Sequence, residues 1–428
     1  MAKPRSGSCR CSMGMTISSF GDFVHKSEIR MLVLHARYTN HLSYYDDWLD
    51  AFTSAPEFAV SSINICSPGA RKKLKKEAQQ VDLIVLLHST NADTLNYLRP
   101  LEPLLADRNS KLLVFMGNEL NLPVSPMAPR LAMLGRLEPD FIATQLLQEA
   151  GEWLYSDLKT SKILAIPHAL NPTAFCPVKP HQERSIDFGT RSHKYLGILG
   201  DNDRMRLFEL FSTYRFKVPM VIDISTSERF NREEWAQFLN NCKGTISNEA
   251  GSYYVERDDQ TLTAVRHYLA EREKRERGVL TTLDSKSLLR RTFRMLPTSV
   301  RSVLRPLVIR LAARDESLFE ESEFADIYEQ FFSQAVMPPV YTKCISSRHF
   351  DAIGTKTCQI MIRGRFNGIL EADRHYLALD SDFSNIGDVM ERFTDPGYRQ
   401  RLVDETYEYA LSAHTYTHRM KAVAALLG

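Results

Sequence analysis

Short apolar runs separated by helical stretches restrict the class of fold open to the first 180 residues. Arg30 to Ala36 (Arg-Met-Leu-Val-Leu-His-Ala), Val60 to Cys66, Val81 to His88, Lys111 to Met116, Phe141 to Thr144 and Ile163 to Ile166 each have the length of one strand. The runs at Arg30, Val81 and Lys111 lack the polar alternation of a half-exposed strand, so they read as buried on both faces. Helices are predicted over Tyr44 to Phe52, Arg71 to Gln80 and Leu95 to Asp107, with a further one between the last two strands. Strand–helix alternation of this kind predicts a doubly wound parallel sheet.

Ligands of such sheets gather outside the carboxyl ends of the strands. The polar clusters that fall at those ends are His35 to His41, His88-Ser89-Thr90, Gly117-Asn118-Glu119 and His168. Glu119, a carboxylate just after an apolar strand and a glycine, is suited to act as a base or to hold a sugar hydroxyl. No Gly-x-Gly-x-x-Gly follows the first strand and no Walker-type loop occurs, which disfavours a nicotinamide dehydrogenase and a P-loop enzyme.

The second half repeats the pattern after a link punctuated by Pro167, Pro172, Pro177 and Pro180. Strands are predicted over Ile186 to Arg191, Val218 to Ile224 and Lys243 to Ser247, the last running into Asn248-Glu249-Ala250-Gly251-Ser252. Helices are predicted over Met205 to Tyr214 and Arg232 to Asn241. Further on, Ser346 or Ser347 can cap a helix whose core face carries Phe350 and Ile353 and which Gly354 ends. A strand from Cys358 to Ile362 follows. Arg348 and Asp351 lie three apart on one face of that helix. A cation near helix-terminal amides suits a diphosphate, and a carboxylate beside it suits the two hydroxyls of a ribose.

The stretch from Ile345 to Tyr376 resembles the C-terminal domain of GT-B glycosyltransferases of the "glycosyl transferases group 1" type. The similarity continues through Asp382-Phe383-Ser384-Asn385-Ile386 and His414-Thr415-Tyr416-Thr417-His418-Arg419. More weakly, Tyr44-Tyr45-Asp46-Asp47-Trp48, Gly117-Asn118-Glu119 and Pro167-His168-Ala169-Leu170-Asn171 resemble the acceptor-side domain of the same enzymes. One departure is that Asp351 stands where the family usually has glutamate, one methylene shorter.

The resemblance implies two Rossmann-like domains facing a cleft and transfer of a sugar from a nucleotide-diphosphate sugar to a glycan, lipid-linked or small-molecule acceptor. It implies donor contacts from Arg191, with Lys194 and Arg204 behind it, and from Arg348, Asp351, Gly354 and Thr355. With the placement at the strand ends, chemistry is expected at Glu119, Glu249 and His168, and an acceptor side formed by His35, Asn40, His41 and Asn118. Neither a metal nor a cofactor is implied. Asp201-Asn202-Asp203 and Asp380-Ser381-Asp382 spell Asp-x-Asp, a pattern short enough to read as loop carboxylates. The alternatives are a catalytically weak sugar-nucleotide-binding or scaffold protein and a sugar-nucleotide epimerase or hydrolase of the same fold.

The expected layout is a disordered tail over 1–28, an acceptor-side domain over 29–180 and a nucleotide-sugar domain over 181–428. The latter carries a helical insertion over 256–340 and a C-terminal helix, 407–427, placed to cross back. From Lys286 to Arg314 no acid interrupts seven arginines set among aliphatics. Such a stretch can contact an anionic membrane surface, each basic side chain adding about 1 kcal/mol. The net charge of +2 gives no argument for nucleic acid. Seven scattered cysteines and no secretory apolar core fit a reducing, cytoplasmic setting, with the inner membrane face as a peripheral site.

Overall fold

The computed structural model describes residues 29–194, 197–277 and 324–427. The expected tail and the basic run at 286–314 lie outside the described residues. The first sheet contains β1 (Ile29–His35), β2 (Phe58–Asn64), β3 (Leu83–Leu86), β4 (Lys111–Phe115), β5 (Phe141–Thr144) and β6 (Lys162–Ala165). All neighbours pair in parallel, in the order β2-β1-β3-β4-β5-β6.

Alternation along each strand supplies two cores. Met31, Val33, Leu83, Val85, Leu113 and Phe115 face one layer of helix; Leu32, Leu34, Ile84, Leu86, Leu112 and Val114 face the other. Each such side chain contributes about 1.5–3 kcal/mol on burial, which is why the strands run without polar breaks. Helices α1 (Ser43–Ser54), α2 (Ala70–Glu77), α3 (Glu102–Ala106), α4 (Met127–Leu137) and α5 (Gln148–Leu154) cover the sheet. The helix expected over Leu95 to Asp107 shrinks to a 3-10 turn, Arg99–Leu101, followed by α3. Pro100 and Pro103 remove the amide donors that a longer helix would need.

The second sheet is also parallel: β7 (Ile186–Arg191), β8 (Ile222–Ser225), β9 (Cys242–Ser247), β12 (Cys358–Ile362) and β13 (Leu377–Leu379), in the order β13-β12-β9-β7-β8. The strand expected from Val218 begins only at Ile222, because Pro219 has no amide to offer the ladder. Between β9 and β12 the chain makes its long excursion. It leaves through β10 (Ala250–Gly251) and returns through β11 (Lys343–Cys344), which pair antiparallel as a neck. Within the excursion, α8 (Gln260–Arg277) and α9 (Phe324–Phe331) are joined by Asp326, which accepts from Tyr268 at 3.1 Å and pairs with Arg272 at 2.8 Å.

The remaining helices are α6 (Asp203–Thr213), α7 (Arg232–Asn241), α10 (Ser347–Gly354), α11 (Ile386–Thr394), α12 (Pro396–Ala413) and α13 (Tyr416–Leu427). The chain passes back to the first sheet at His414-Thr415. There the Leu170 amide donates to the His414 carbonyl at 2.8 Å, and the Tyr416 amide donates to the Leu170 carbonyl at 3.1 Å. Tyr416, Met420 and Val423 then pack into the layer that holds Trp48. No helix among the described residues is long and apolar enough to cross a membrane.

Gly354 is the last residue of α10, as expected, and the left-handed conformation after the helix falls on Lys356, whose φ is 52°. The glycine is needed for close approach instead: a Cβ there would lie 2.5 Å from the Phe175 carbonyl oxygen and 2.6 Å from Leu170 Cδ1. Gly354→Ala is expected to cost about 1–3 kcal/mol by overpacking. Gly387→Ala in α11, where nothing lies within 4 Å, is expected to be neutral or slightly stabilising. Urea denaturation of the two variants measures the contrast.

Candidate functional site

In the second sheet β7 is followed by β8 on one side and by β9 on the other, so the strand order reverses between β7 and β9. Loops leaving the carboxyl ends of those two strands diverge and open a crevice. Its rims are Thr190, Arg191 and Ser192 from β7, and Ser247 and Asn248 from β9. The first turn of α10 forms a third side. The Ser346 amide donates to His349 Nδ1 at 3.0 Å, which fixes the start of the helix. Arg348, one residue earlier on the same turn, donates to the Arg191 carbonyl at 2.8 Å.

Two further arginines face the same space. Arg204 on α6 donates to Asn248 Oδ1 at 3.4 Å, and Arg229, after β8, donates to His193 Nε2 at 2.9 Å. The His193 imidazole is pushed down to about 4 by desolvation and then by the charges of Arg229, Arg348 and Arg204. Buried polar atoms on the crevice wall that lack a protein partner include Ser247 Oγ, Asn248 Nδ2 and Gln359 Oε1. Each unpaired group costs about 1–3 kcal/mol, a cost that a bound polar ligand removes.

The crevice extends to the first half of the chain, where His41, Leu42, Ser43 and Tyr44 meet Asn231, Trp235, Arg348 and Asp351. Asp351 Oδ2 accepts from Trp235 Nε1 at 3.0 Å and from Ser43 Oγ at 3.3 Å. Burial, then the charge of Asp47, pushes the Asp351 carboxyl well above the usual carboxylate range. Asp47 itself is pushed up to about 6 by burial, opposed by Asn171 at 2.7 Å and by Arg232 at 3.0 Å. Arg232 also reaches Asp50 at 2.6 Å, so one arginine of the second half grips two aspartates of α1.

Arg204, Arg348, Asp351 and His41 therefore line the crevice, whereas several other expected residues lie behind it. Arg191 is spent internally: its guanidinium pairs with Asp223 at 2.9 Å and Glu228 at 2.8 Å, and lies 4.2 Å over the Phe238 ring. What it offers the crevice is its carbonyl. Gly354 abuts Phe175, and the fully buried Thr355 hydroxyl bonds to the Asp351 and Ala352 carbonyls and to Thr357, so neither reaches the crevice. Glu249 accepts from the Phe366 amide at 2.7 Å, from the Arg365 amide at 3.3 Å and from the Tyr341 hydroxyl. It thereby braces a loop in which Phe366, Asn367 and Gly368 all take positive φ (42°, 55° and 69°).

Glu119 lies buried in the first domain, with donors from Thr144 at 2.6 Å, the Gln145 amide at 2.9 Å and Tyr155 at 2.5 Å. All of these donors belong to the first domain, so its carboxylate works as an internal strut. Asn118, at φ 47°, donates to Asp93 at 2.8 Å and accepts Arg130 at 2.7 Å through its carbonyl. His168 takes the Trp48 indole proton on Nδ1 at 3.0 Å and lies behind Tyr44, their ring centres 4.6 Å apart. His35 ends β1, and Asn40 is exposed in the loop beyond it. Arg229, Trp235, Ser43, Ser247 and Gln359 were not legible as site residues, because no local motif marks them. Only the folded chain brings them together.

His168 and His349 are both pushed down to about 3, by burial first and by neighbouring arginines after it. Both rings are therefore neutral in the folded state at pH values where the unfolded rings, near pKa 6.5, take up protons. The unfolded chain binds more protons below about pH 6.5, so each ring withdraws stability as the pH falls, by about 1.4 kcal/mol per pH unit. His349→Asn removes one such ring. The difference in stability between variant and wild type is expected to move in the variant's favour by about 1.4 kcal/mol per pH unit between about pH 6 and 4. Urea midpoints measured across that range check it, and a pH-independent difference contradicts a buried neutral ring.

No family model matches the chain, and no curated protein sequence matches it. Solved structures do. An alpha-glucosyltransferase in complex with UDP aligns with a TM-score of 0.50 at 8% identity, over 93% of this chain and 99% of that one. An alpha-glucosyltransferase in complex with UDP-glucose and DNA containing an abasic site aligns with a TM-score of 0.51 at 9% identity, over 93% and 99% of the two chains. At such identity the likeness is one of architecture, and with the two parallel sheets it establishes the fold: this chain has the GT-B fold.

Proposed function

We propose that the protein is a glycosyltransferase that takes a sugar from a nucleotide-diphosphate sugar and passes it to an acceptor held on the first-sheet side of the crevice. The observation that carries this reading is the convergence of Arg204, Arg229 and Arg348 on the switch point of the second sheet, beside the unpartnered atoms Ser247 Oγ, Asn248 Nδ2 and Gln359 Oε1. Charge of that sign and density suits a diphosphate, and guanidinium groups match its oxygens in pairs. The ribose hydroxyls would take Asp351, exchanging its present bond to Ser43 for bonds to the ligand.

The step asks little covalent work of the protein. As the bond from the sugar to the diphosphate breaks, negative charge builds on the leaving oxygens. Arginines already fixed in place stabilise that charge without reorganising. The acceptor hydroxyl would approach from His41 and Tyr44, and holding it against the anomeric carbon supplies the orientational part of the rate. His168 is too weak a base, at about 3, to take a proton from that hydroxyl near neutrality, so its part would be to support Tyr44. No metal or cofactor is assigned a role.

A panel of nucleoside diphosphates and their sugars, with UDP and UDP-glucose first because one structural neighbour is described with UDP and another with UDP-glucose, tests the reading by thermal shift. A ligand supplied at a hundredfold its Kd is expected to stabilise the protein by about 2.7 kcal/mol. Arg348→Ala is expected to weaken binding by about tenfold to a hundredfold, the worth of one charge-assisted hydrogen bond. Asp351→Asn is expected to weaken it by about tenfold; an unchanged shift removes the ribose assignment. Binding without transfer to any acceptor would point to the scaffold alternative, and turnover of the donor alone would point to a hydrolase or epimerase.

A further inference from the structure

Asp201-Asn202-Asp203 has the spacing of a two-carboxylate cation site, and the fold fills it with an ammonium. Lys343, the first residue of β11, places Nζ 2.8 Å from Asp201 Oδ2 and 2.9 Å from Asp203 Oδ2. The same ammonium lies 4.2 Å over the Tyr253 ring. Lys343 is 2% exposed, and the Asp201 side chain is wholly buried. Burial alone would neutralise such a lysine. The charges of Asp201 and Asp203 overcome it and hold the ammonium above the ordinary lysine value.

The position of this cluster is what gives it consequence. Asp203 opens α6, its amide bound to Asp201 Oδ1 at 3.0 Å, and the next residue is Arg204 on the crevice wall. Gly251 (φ 103°) lies against Thr342 and Lys343, just beyond Asn248 and Glu249. Ser252 Oγ donates to the Leu199 carbonyl at 2.6 Å, and Thr342 Oγ1 to the Ser252 carbonyl at 2.5 Å. The return strand of the excursion is thus bonded to the segment that leads into Arg204 and to the one that follows Asn248.

We propose that Lys343 is a positioning residue for the anion pocket: an internal cation that pairs with both Asp201 and Asp203, offsets part of their charge and so leaves Arg204 directed at the ligand. Without it two adjacent carboxylates would stand beside the pocket, repel an anionic ligand and draw in Arg204, the next cation along the chain. The excursion would then belong to the donor site, since it delivers this cation. The proposal rests on the nucleotide-sugar reading of the pocket.

The test uses the nucleoside diphosphate that binds the full-length wild type most tightly among UDP, GDP, ADP, CDP and dTDP, with affinity read by calorimetry. Lys343→Met is expected to weaken it by about tenfold or more, and Lys343→Arg to stay within about threefold of wild type. The double variant Lys343→Met/Asp203→Asn, with the local charge restored, is also expected to come within about threefold. A purely structural lysine predicts instead a double variant as weak as the single one, and that result overturns the proposal, as does Lys343→Met binding like wild type. Should Lys343→Met not fold, Asp203→Asn alone decides: affinity equal to or above wild type supports the electrostatic role, and a tenfold loss overturns it. A second readout is independent of the nucleotide. MnCl2 is expected to raise the melting temperature of Lys343→Met and not that of wild type, because the vacated carboxylate pair can take a divalent ion. If wild type binds no nucleoside diphosphate, the donor reading fails, and the MnCl2 comparison alone judges the internal cation; equal shifts in both proteins overturn it.

Discussion

The hydrogen bond from the Arg348 guanidinium to the Arg191 main-chain carbonyl, 2.8 Å long, joins the start of α10 to the end of β7. Much of the crevice depends on that junction. The Arg191 carbonyl is a firm anchor because its own side chain is immobilised between Asp223 and Glu228 and over Phe238. Arg348 is therefore aimed by a part of the backbone that has little freedom to move. A cation presented in this way can meet an anion with little further loss of side-chain entropy.

The two halves of the chain are braced around the crevice by bonds made at its edges. Arg232 holds Asp47 and Asp50 on one flank. On another, Asp259 at the root of the excursion accepts from the Met127 amide at 2.9 Å and the Ala128 amide at 2.7 Å, capping α4 of the opposite half. The terminal helix α13 adds a third brace, with Arg419 donating to the Pro167 carbonyl at 3.0 Å. These bonds hold together the two walls that carry Tyr44 and Arg348, both of which line the crevice. An acceptor on one wall and a donor on the other would then be separated by a distance that the fold, and not the ligand, determines.

The framework was legible in the sequence because buried parallel strands must be short apolar runs. Phe141–Thr144, Ile186–Arg191 and Arg232–Asn241 lie where pattern and punctuation put them. Extent failed where proline withdrew a donor, before α3 and at β8. Of the residues expected to form a site, Arg348, Asp351 and His41 line one crevice. Arg191 and Glu119 look identical in sequence to residues that meet a ligand. What commits them to the interior is Asp223 and Glu228 in one case and Thr144 and Tyr155 in the other, partners that only the folded sheet brings near. The Asp-x-Asp at 201–203 reads as loop carboxylates until Lys343, 140 residues beyond Asp203, is seen to occupy it.

The most direct measurement of the central claim is a crystal structure of the full-length protein grown with a nucleoside diphosphate. The account predicts diphosphate oxygens within hydrogen-bond distance of the Arg348 and Arg204 guanidinium groups, at the carboxyl ends of β7 and β9. It also predicts that Ser247 Oγ, Asn248 Nδ2 or Gln359 Oε1 gains a partner from the ligand. A diphosphate bound instead at the ends of β1 and β3, beside His35 and His88, or outside the crevice altogether, would contradict it.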